Sequence, residues 1–159
     1  MLKSFGMEDK RNLAKGDELL TPIRVRRYNP MTSRKHPKKR KTDLKKILSE
    51  EIVKRDLKLE KIQKRCKGNP LSVKIKYYLL KSNEEGTAKK DLDNLLKIIF
   101  DVLSDDMIKN NTDDELKGLG LMTDDEMVYE IHCSKKIVTS KEDMGFDISI
   151  FESLNSVEA

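Results

Sequence analysis

The chain has 159 residues, of which 38% are charged and 36% are hydrophobic, and its formal net charge at pH 7 is +5. This length fits a single domain, and the sequence has neither an apolar run near the ~20 residues of a membrane span nor a signal-peptide pattern, so we expect a soluble, cytoplasmic protein without membrane contact. The two cysteines, Cys66 and Cys133, are too few for a disulfide framework and have no spacing to histidine that is typical of a zinc site.

The first 42 residues predict one strand between two irregular segments. Residues 1–20 show no sustained apolar period, which predicts an N-terminal extension or a loosely packed helix. Residues 21–28 alternate apolar and basic side chains and predict a first strand, with Pro22 and Pro30 at its ends, where proline is tolerated. Residues 31–42 are rich in Pro, Lys and Arg and have nothing to bury, so they predict a basic loop.

Two helices and three strands are predicted in the rest of the chain. Thr42 is placed to cap a helix over residues 43–65, which ends before the turn residues Gly68, Asn69 and Pro70. Alternation predicts strands over 71–79, 126–134 and 145–151, and a wide apolar face predicts a helix over 91–103. The order strand, helix, strand, helix, strand, strand predicts a small α/β (α+β) domain over residues 21–152, with two main helices packed on a mixed β-sheet and a tail at 153–159.

Charge divides the chain into a basic part and an acidic part. Residues 24–67 contain 18 Lys and Arg against 5 Asp and Glu, a net of +13, so the remaining residues carry −8 because the whole chain carries +5. Residues 91–147 contain 15 acidic and 6 basic side chains. This division indicates a polyanion bound by the basic part and metal or proton chemistry in the acidic part, with two highly charged, solvated surfaces as the alternative.

The most informative segment is residues 89–97, with the sequence KKDLDNLLK. Asp91 and Asp93 would point about 200° apart inside a helix, so they converge only if Asp91 precedes the helix and Asp93 lies in its first turn. The partial positive charge of that helix end favours ionised carboxylates, and Lys97 lies one turn beyond Asp93 on the same side. Two converging carboxylates beside the Asn94 amide and an ammonium suit a magnesium ion and a phosphate, whereas a helix cap with a solvated lysine is the alternative.

A second acidic pair, Asp124 and Asp125, stands directly before the strand predicted at 126–134. A carboxylate at the start of a strand is well placed to face the start of a helix packed on the sheet, and an exposed turn is the alternative. The histidines, His36 and His132, fall in the predicted basic loop and in a predicted strand. No Ser/His/Asp or Cys/His arrangement therefore indicates a competing chemistry.

Together these motifs resemble the RusA family of Holliday junction resolvases. The resemblance is carried by Asp91-Leu92-Asp93-Asn94-Leu95-x-Lys97, then by Phe100-Asp101-x-Leu103 on the same helix, and then by Gly-x-x-x-Asp124-Asp125 leading into a strand with Val128. The specific motifs lie within residues 90–128, and the wider similarity extends over residues 23–152. Two features depart from the family pattern: the connection over residues 103–124 is longer, and a longer basic loop and an extension lie in the N-terminal region.

The resemblance implies a magnesium-dependent endonuclease, with manganese able to substitute. Such an enzyme resolves a four-way (Holliday) DNA junction by paired phosphodiester hydrolysis in recombination and repair. It further implies a homodimer that acts on branched DNA, associates with the nucleoid and takes no small-molecule substrate. The longer connection holds further acidic pairs at residues 105–106 and 113–114, either of which is an alternative third ligand. The implied roles are metal binding for Asp91, Asp93 and Asp125, catalysis for Lys97 and these three aspartates, and support for Asn94, Asp101 and Asp124.

The basic segment is the predicted DNA surface, because runs of Lys and Arg bind phosphates without reading sequence. We expect its loop to be disordered in the free protein and ordered on DNA. Two alternatives stay open: a non-catalytic DNA-binding protein of the same fold, and an interaction protein whose acidic half masks its basic half. The predicted DNA contacts are Arg24, Arg26, Arg27, Arg34, Lys35, Lys38, Lys39, Arg40 and Lys41.

Overall fold

A computed structural model describes residues 15–30, 37–81, 92–107, 117–123 and 125–154 of the protein. In these ranges no helix combines the length and the hydrophobicity that a membrane crossing requires. A short 3₁₀ helix, Asp125–Met127, precedes the third strand. The main elements are strand β1 Lys15–Arg26, helices α1 Pro37–Lys54 and α2 Leu59–Cys66, strand β2 Leu71–Leu80, helix α3 Leu92–Leu103, and strands β3 Val128–Val138 and β4 Gly145–Ser153.

The four strands form one mixed sheet in the order β1-β4-β2-β3. Strand β4 pairs antiparallel with β1 on one side and with β2 on the other, so the last of these strands along the chain lies inside the sheet. Strands β2 and β3 are parallel, with Leu71 opposite Val128, and α3 belongs to the crossover between them. The predicted small α+β fold with a mixed sheet is therefore confirmed.

One face of the sheet carries the hydrophobic core, because alternate residues of a strand point to the same side. The central strands contribute Tyr77 and Phe146, which are among the largest fully buried side chains, with ring centroids 6.4 Å apart. Helix α1 covers this face with Leu44, Leu48 and Ile52. Other core side chains are Ile23, Val25, Val73, Ile75, Leu79, Ile148 and Ile150 from the strands, and Ile62, Cys66, Ile99, Val102 and Leu103 from α2 and α3.

The first half of the chain differs from the prediction at three boundaries. Strand β1 begins at Lys15, inside the segment predicted as an extension. Helix α1 begins at Pro37, so the prediction of a basic loop up to residue 42 is wrong over its second half; proline is well tolerated as a first helical residue. Thr42 lies inside this helix and donates a hydrogen bond to the Lys38 carbonyl at 2.9 Å, so it does not cap it.

The helix predicted over residues 43–65 is two helices, α1 and α2. The break lies at residues 55–58, where Asp56 adopts a left-handed backbone conformation with φ of 59°. Asp is among the few non-glycine residues that tolerate this region. The Leu57 amide then donates a hydrogen bond to the Ile52 carbonyl at 3.0 Å, which closes α1 and redirects the chain into α2.

Candidate active site and DNA surface

Helix α3 begins at Leu92, so Asp93 is its second residue and Asn94 its third. This matches the backbone geometry that converging carboxylates would require of Asp93. Asp91, which directly precedes the helix in the sequence, lies outside the described residues. Lys97 is exposed one turn beyond Asp93. The convergence of Asp91 and Asp93 on one metal ion stays a prediction.

Asp125 is linked to the opposite end of helix α3. The segment that precedes it bonds to the C-terminal turn of this helix, with the Leu121 amide donating to the Leu103 carbonyl at 2.8 Å and the Asp105 amide donating to the Met122 carbonyl at 2.9 Å. Asp125 follows Met122 by three residues and is exposed in the 3₁₀ helix. About 15 Å of helix separates the positions of Asp93 and Leu103, at ~1.5 Å per residue.

Of the predicted metal ligands, the described part of the chain contains Asp93 and Asp125, and Asp91 lies outside it. Asp124 lies outside it, as does the acidic pair at residues 113–114. Among the residues that are described, no group of three or more His, Cys, Asp or Glu side chains is arranged to hold a metal ion. Of the other acidic pair, Asp105 contacts Lys67 at 2.7 Å and Asp106 contacts Lys117 at 2.7 Å, so both carboxylates are in ion pairs.

Asp101, the supporting acidic residue on α3, forms an ion pair with Lys41 of α1. The Lys41 Nζ lies 2.9 Å from Asp101 Oδ2, and the Lys41 side chain is only 17% exposed. The same ammonium donates a hydrogen bond to the Met107 carbonyl at 3.4 Å. Lys41 was predicted to contact DNA, but in the structure its charge holds the start of α1 against the last turn of α3.

The other cations of the predicted DNA-binding run have different surroundings. Lys38 and Lys39 are exposed in the first turn of α1, whereas Arg34 and Lys35 lie outside the described residues. Arg40 donates a hydrogen bond to the Asn29 carbonyl at 3.3 Å. Burial raises the pKa of the Tyr28 hydroxyl, and the nearby Arg40 guanidinium partly opposes this rise. Lys38 and Lys39 are thus the described members of the run that are exposed.

Arg24 and Arg26 of strand β1, and Arg27 directly after it, lie opposite carboxylates at the start of strand β4 and in the turn before it. The Arg24 Nε lies 3.6 Å from Asp147 Oδ1, the Arg26 Nη1 lies 2.9 Å from Asp143 Oδ1, and the Arg27 Nη2 lies 3.4 Å from Glu142 Oε1. The Arg26 and Arg27 pairs are largely exposed, and such pairs contribute little to stability. Each carboxylate also offsets positive charge on the surface that the sequence predicts to contact DNA.

A groove lies on the face of the sheet opposite the core, with a volume of about 340 Å³. The Arg24 guanidinium stacks on the Tyr78 ring at 3.7 Å from its centroid, and the Tyr78 hydroxyl donates a hydrogen bond to Asp147. This hydrogen bond raises the pKa of the Tyr78 hydroxyl, because it stabilises the protonated form. The groove is lined by Pro22, Arg24, Arg55, Lys74, Lys76, Tyr78, Asp147 and Ser149.

Sequence reasoning missed Lys74 and Lys76 as members of a charged surface. The signal was present in the alternation of strand β2, in which the buried residues Val73, Ile75 and Tyr77 leave the two lysines on the opposite face. The predicted DNA contacts lie in runs of basic residues that are close in sequence, whereas a sheet brings single charges together from neighbouring strands. A row of single lysines at period two is therefore the pattern that indicates this groove.

Comparison of the chain with protein-family models, with curated proteins and with solved structures found no match. The likeness to the RusA family therefore depends on the sequence motifs alone.

Proposed function

We propose that the protein is a magnesium-dependent, structure-selective endodeoxyribonuclease that resolves four-way DNA junctions by paired phosphodiester hydrolysis. The observation that carries the proposal is the start of helix α3 at Leu92. It gives Asp93, two residues after Asp91 in the sequence, a position in the first turn and leaves Lys97 exposed one turn further on. A carboxylate pair at a helix start and a lysine on the next turn suit a metal ion with a phosphate bound beside it.

Asp91 and Asp93 are the two ligands on which the proposal depends. Magnesium is commonly held by one or two carboxylates together with water and substrate phosphate oxygens, so two aspartates are sufficient in number. Asp125 is the least supported ligand, because the backbone links it to the C-terminal end of α3 and Asp93 lies at the N-terminal end. Bound magnesium, or manganese in its place, would supply an activated water and charge neutralisation at the phosphate.

The side chains of the chain would then orient and stabilise the reacting phosphodiester. Lys97 would place its positive charge near the oxygens on which negative charge grows in the transition state. Removal of one comparable group from an enzyme lowers the rate by ~10²–10³-fold. Asp101 would act on the position of α3 through its ion pair with Lys41. Cutting two opposed strands of a junction requires two such sites, which a homodimer provides, and the substrate would associate the protein with the nucleoid.

Two other functions are each favoured by a specific observation. The backbone link between the segment before Asp125 and the C-terminal end of α3 favours a non-catalytic DNA-binding protein, in which the aspartates only cap helix and strand. The contacts of Arg24, Arg26 and Arg27 with carboxylates from the acidic half favour an interaction protein that masks its own basic half.

The test is incubation of the protein with a synthetic four-way DNA junction, with magnesium or with EDTA, beside an Asp93→Asn variant. The endonuclease is expected to make paired, metal-dependent nicks and to lose at least ~100-fold in cleavage rate in the variant. Asp17→Asn is the matched control, because Asp17 is an exposed carboxylate at the start of β1. Tight binding without cleavage would favour the non-catalytic protein, and little affinity for DNA at physiological salt would favour the masked interaction protein.

A further inference from the structure

The face of the sheet opposite the core carries positively charged side chains from several strands. Helices α1, α2 and α3 contribute their buried side chains to the core on the other face. On the open face, Lys74 and Lys76 of β2 are flanked by Ser149 and Asp147 of β4 and by His132 and Ser134 of β3. In the next row, Lys136 of β3 lies opposite Tyr78. We infer that Lys74 and Lys76 on this open face hold the phosphate backbone of the DNA substrate, an inference that rests on the proposed function.

The two lysines form a short row at a fixed spacing. Positions i and i+2 of a strand lie on the same side and about 6.7 Å apart, because each residue advances the strand by ~3.3–3.4 Å. Lys74 is exposed and Lys76 is half-buried against the groove, with its Nζ 5.7 Å from the centre of the Tyr78 ring. A rigid central strand therefore presents two ammonium groups side by side, which a flexible loop does not do.

The carboxylate in the groove does not neutralise these lysines. Asp147 accepts the Tyr78 hydroxyl and lies 3.6 Å from the Arg24 Nε, so its charge is already engaged. Within the described part of the chain, neither Lys74 nor Lys76 forms an ion pair. Arg55 at the rim is paired with Glu51 at 3.3 Å. Phosphates that approach the groove thus meet two ammonium groups that no described carboxylate binds in an ion pair, and the counter-ions released on binding are those of the DNA.

The groove fits the sugar-phosphate backbone better than it fits the bases. Tyr78 is the aromatic side chain that lines it, and the Arg24 guanidinium already covers one face of its ring at 3.7 Å. Sequence-independent binders of unpaired bases need free aromatic faces for stacking, whereas a backbone contact needs only positive charge and hydrogen-bond donors. A four-way junction is recognised by its shape, so contacts that position the backbone are the kind that such a substrate requires.

The test measures the salt dependence of binding to a fluorescent four-way junction in EDTA, which prevents cleavage. The Lys74→Gln/Lys76→Gln variant is expected to bind less tightly and to reduce the slope of log K against log salt concentration by about 2, since each lost phosphate contact removes ~0.9. Lys61→Gln/Lys64→Gln is the matched control, because it removes the same charge from exposed positions of α2. A Lys74→Arg/Lys76→Arg variant is expected to restore the slope.

The outcomes separate this inference from the proposed function. A wild-type protein that binds and cuts the junction, with a salt slope unchanged in the Lys74→Gln/Lys76→Gln variant, would overturn the inference and leave the nuclease in place. An equal loss in the α2 control would also overturn it, because net charge alone would then explain the effect. Binding to vesicles that contain phosphatidylserine, without binding to the junction, would assign the surface to a membrane and overturn both proposals. A slope reduced in the groove variant alone would support the inference even in a protein that does not cleave.

Discussion

The ion pair between Lys41 and Asp101 gives a prediction on which the sequence and the structure disagree. Two unit charges 2.9 Å apart attract each other by about 1.4 kcal/mol in water and by about 6 kcal/mol at an effective dielectric constant of ~20. Lys41 is 17% exposed and Asp101 is 44% exposed, so the pair lies nearer to the water limit. Ordering the lysine side chain offsets part of this gain by ~1 kcal/mol or more. We therefore expect a net coupling of about 1 kcal/mol.

A double-mutant cycle measures this coupling directly. Lys41→Met, Asp101→Asn and the double variant are unfolded in urea, and the free energies of unfolding are compared with that of the wild-type protein. Each single variant is expected to lose about 1–2 kcal/mol, and the double variant to lose about 1 kcal/mol less than the sum. A loss of 1 kcal/mol corresponds to about 2–4 °C in Tm for a domain of this size.

Lys39→Met is the matched control, because Lys39 is an exposed lysine on the same helix turn. Its effect on the free energy of unfolding is expected to stay within about 0.5 kcal/mol. A coupling below about 0.3 kcal/mol between Lys41 and Asp101 would refute the structural role. The reasoning would also fail if Lys41→Met left the stability unchanged and lowered the salt slope of DNA binding by about 1, because Lys41 would then be the DNA contact that the sequence predicts.

Two further predictions concern stability. Gly145 has a φ of 153°, and a Cβ atom there would overlap the Val25 carbonyl oxygen, so we expect Gly145→Ala to lower the free energy of unfolding in urea by about 3 kcal/mol. Gly68 has open space around it, and we expect the control variant Gly68→Ala to lose about 1 kcal/mol. Equal losses in the two variants would contradict the close approach of β1 and β4. Burial raises the pKa of the Cys66 thiol from 9.0 to about 11, so the protonated thiol stabilises the fold below pH 9 and this contribution is lost as the pH rises toward 11. Between pH 8 and pH 10 the wild-type protein is expected to lose about 1.4 kcal/mol more than Cys66→Ala, and parallel pH profiles for the two proteins would show that the thiol is not responsible.

Elements with a strong apolar period were predicted almost to the residue. Strand β2 was predicted over 71–79 and spans Leu71–Leu80, and helix α3 was predicted over 91–103 and spans Leu92–Leu103. Both have one face buried in the core, so the period in the sequence reflects the contact that stabilises the element. Glycine, asparagine and proline before β2 also mark its start.

Elements stabilised by other interactions were misplaced. The first turns of α1 contain Lys38, Lys39 and Arg40, with no apolar side chain before Leu44. No apolar period therefore indicates the start of this helix, although lysine and arginine are good helix formers. The start of β1 is likewise polar, and its ladder partner is β4, far along the chain.

The candidate site was predictable only where it is local. The position of Asp93 in the first turn of α3 follows from a pattern within one helix. Arg26 contacts a residue 117 positions away in the sequence, and Lys41 contacts residues 60 or more positions away. A periodic pattern in the sequence does not indicate such distant pairs. The open-face groove needs three strands side by side, which only the sheet order supplies.

The position of β4 inside the sheet has a consequence for biosynthesis. Strands β1 and β2 both obtain their antiparallel partner from Gly145–Ser153, so neither has this partner until the ribosome has translated that segment. Until then β1 has no neighbouring strand in the sheet and β2 can pair only with β3, so the nascent chain presents apolar side chains of both strands to chaperones or to other nascent chains. Closing the loop between β1 and β4 also demands a large entropic cost late in folding, which favours a slow, single cooperative step. A chain truncated before residue 145 should therefore be more sensitive to protease in β1 than the chain that includes β4, with protection of β1 arriving only when β4 is present.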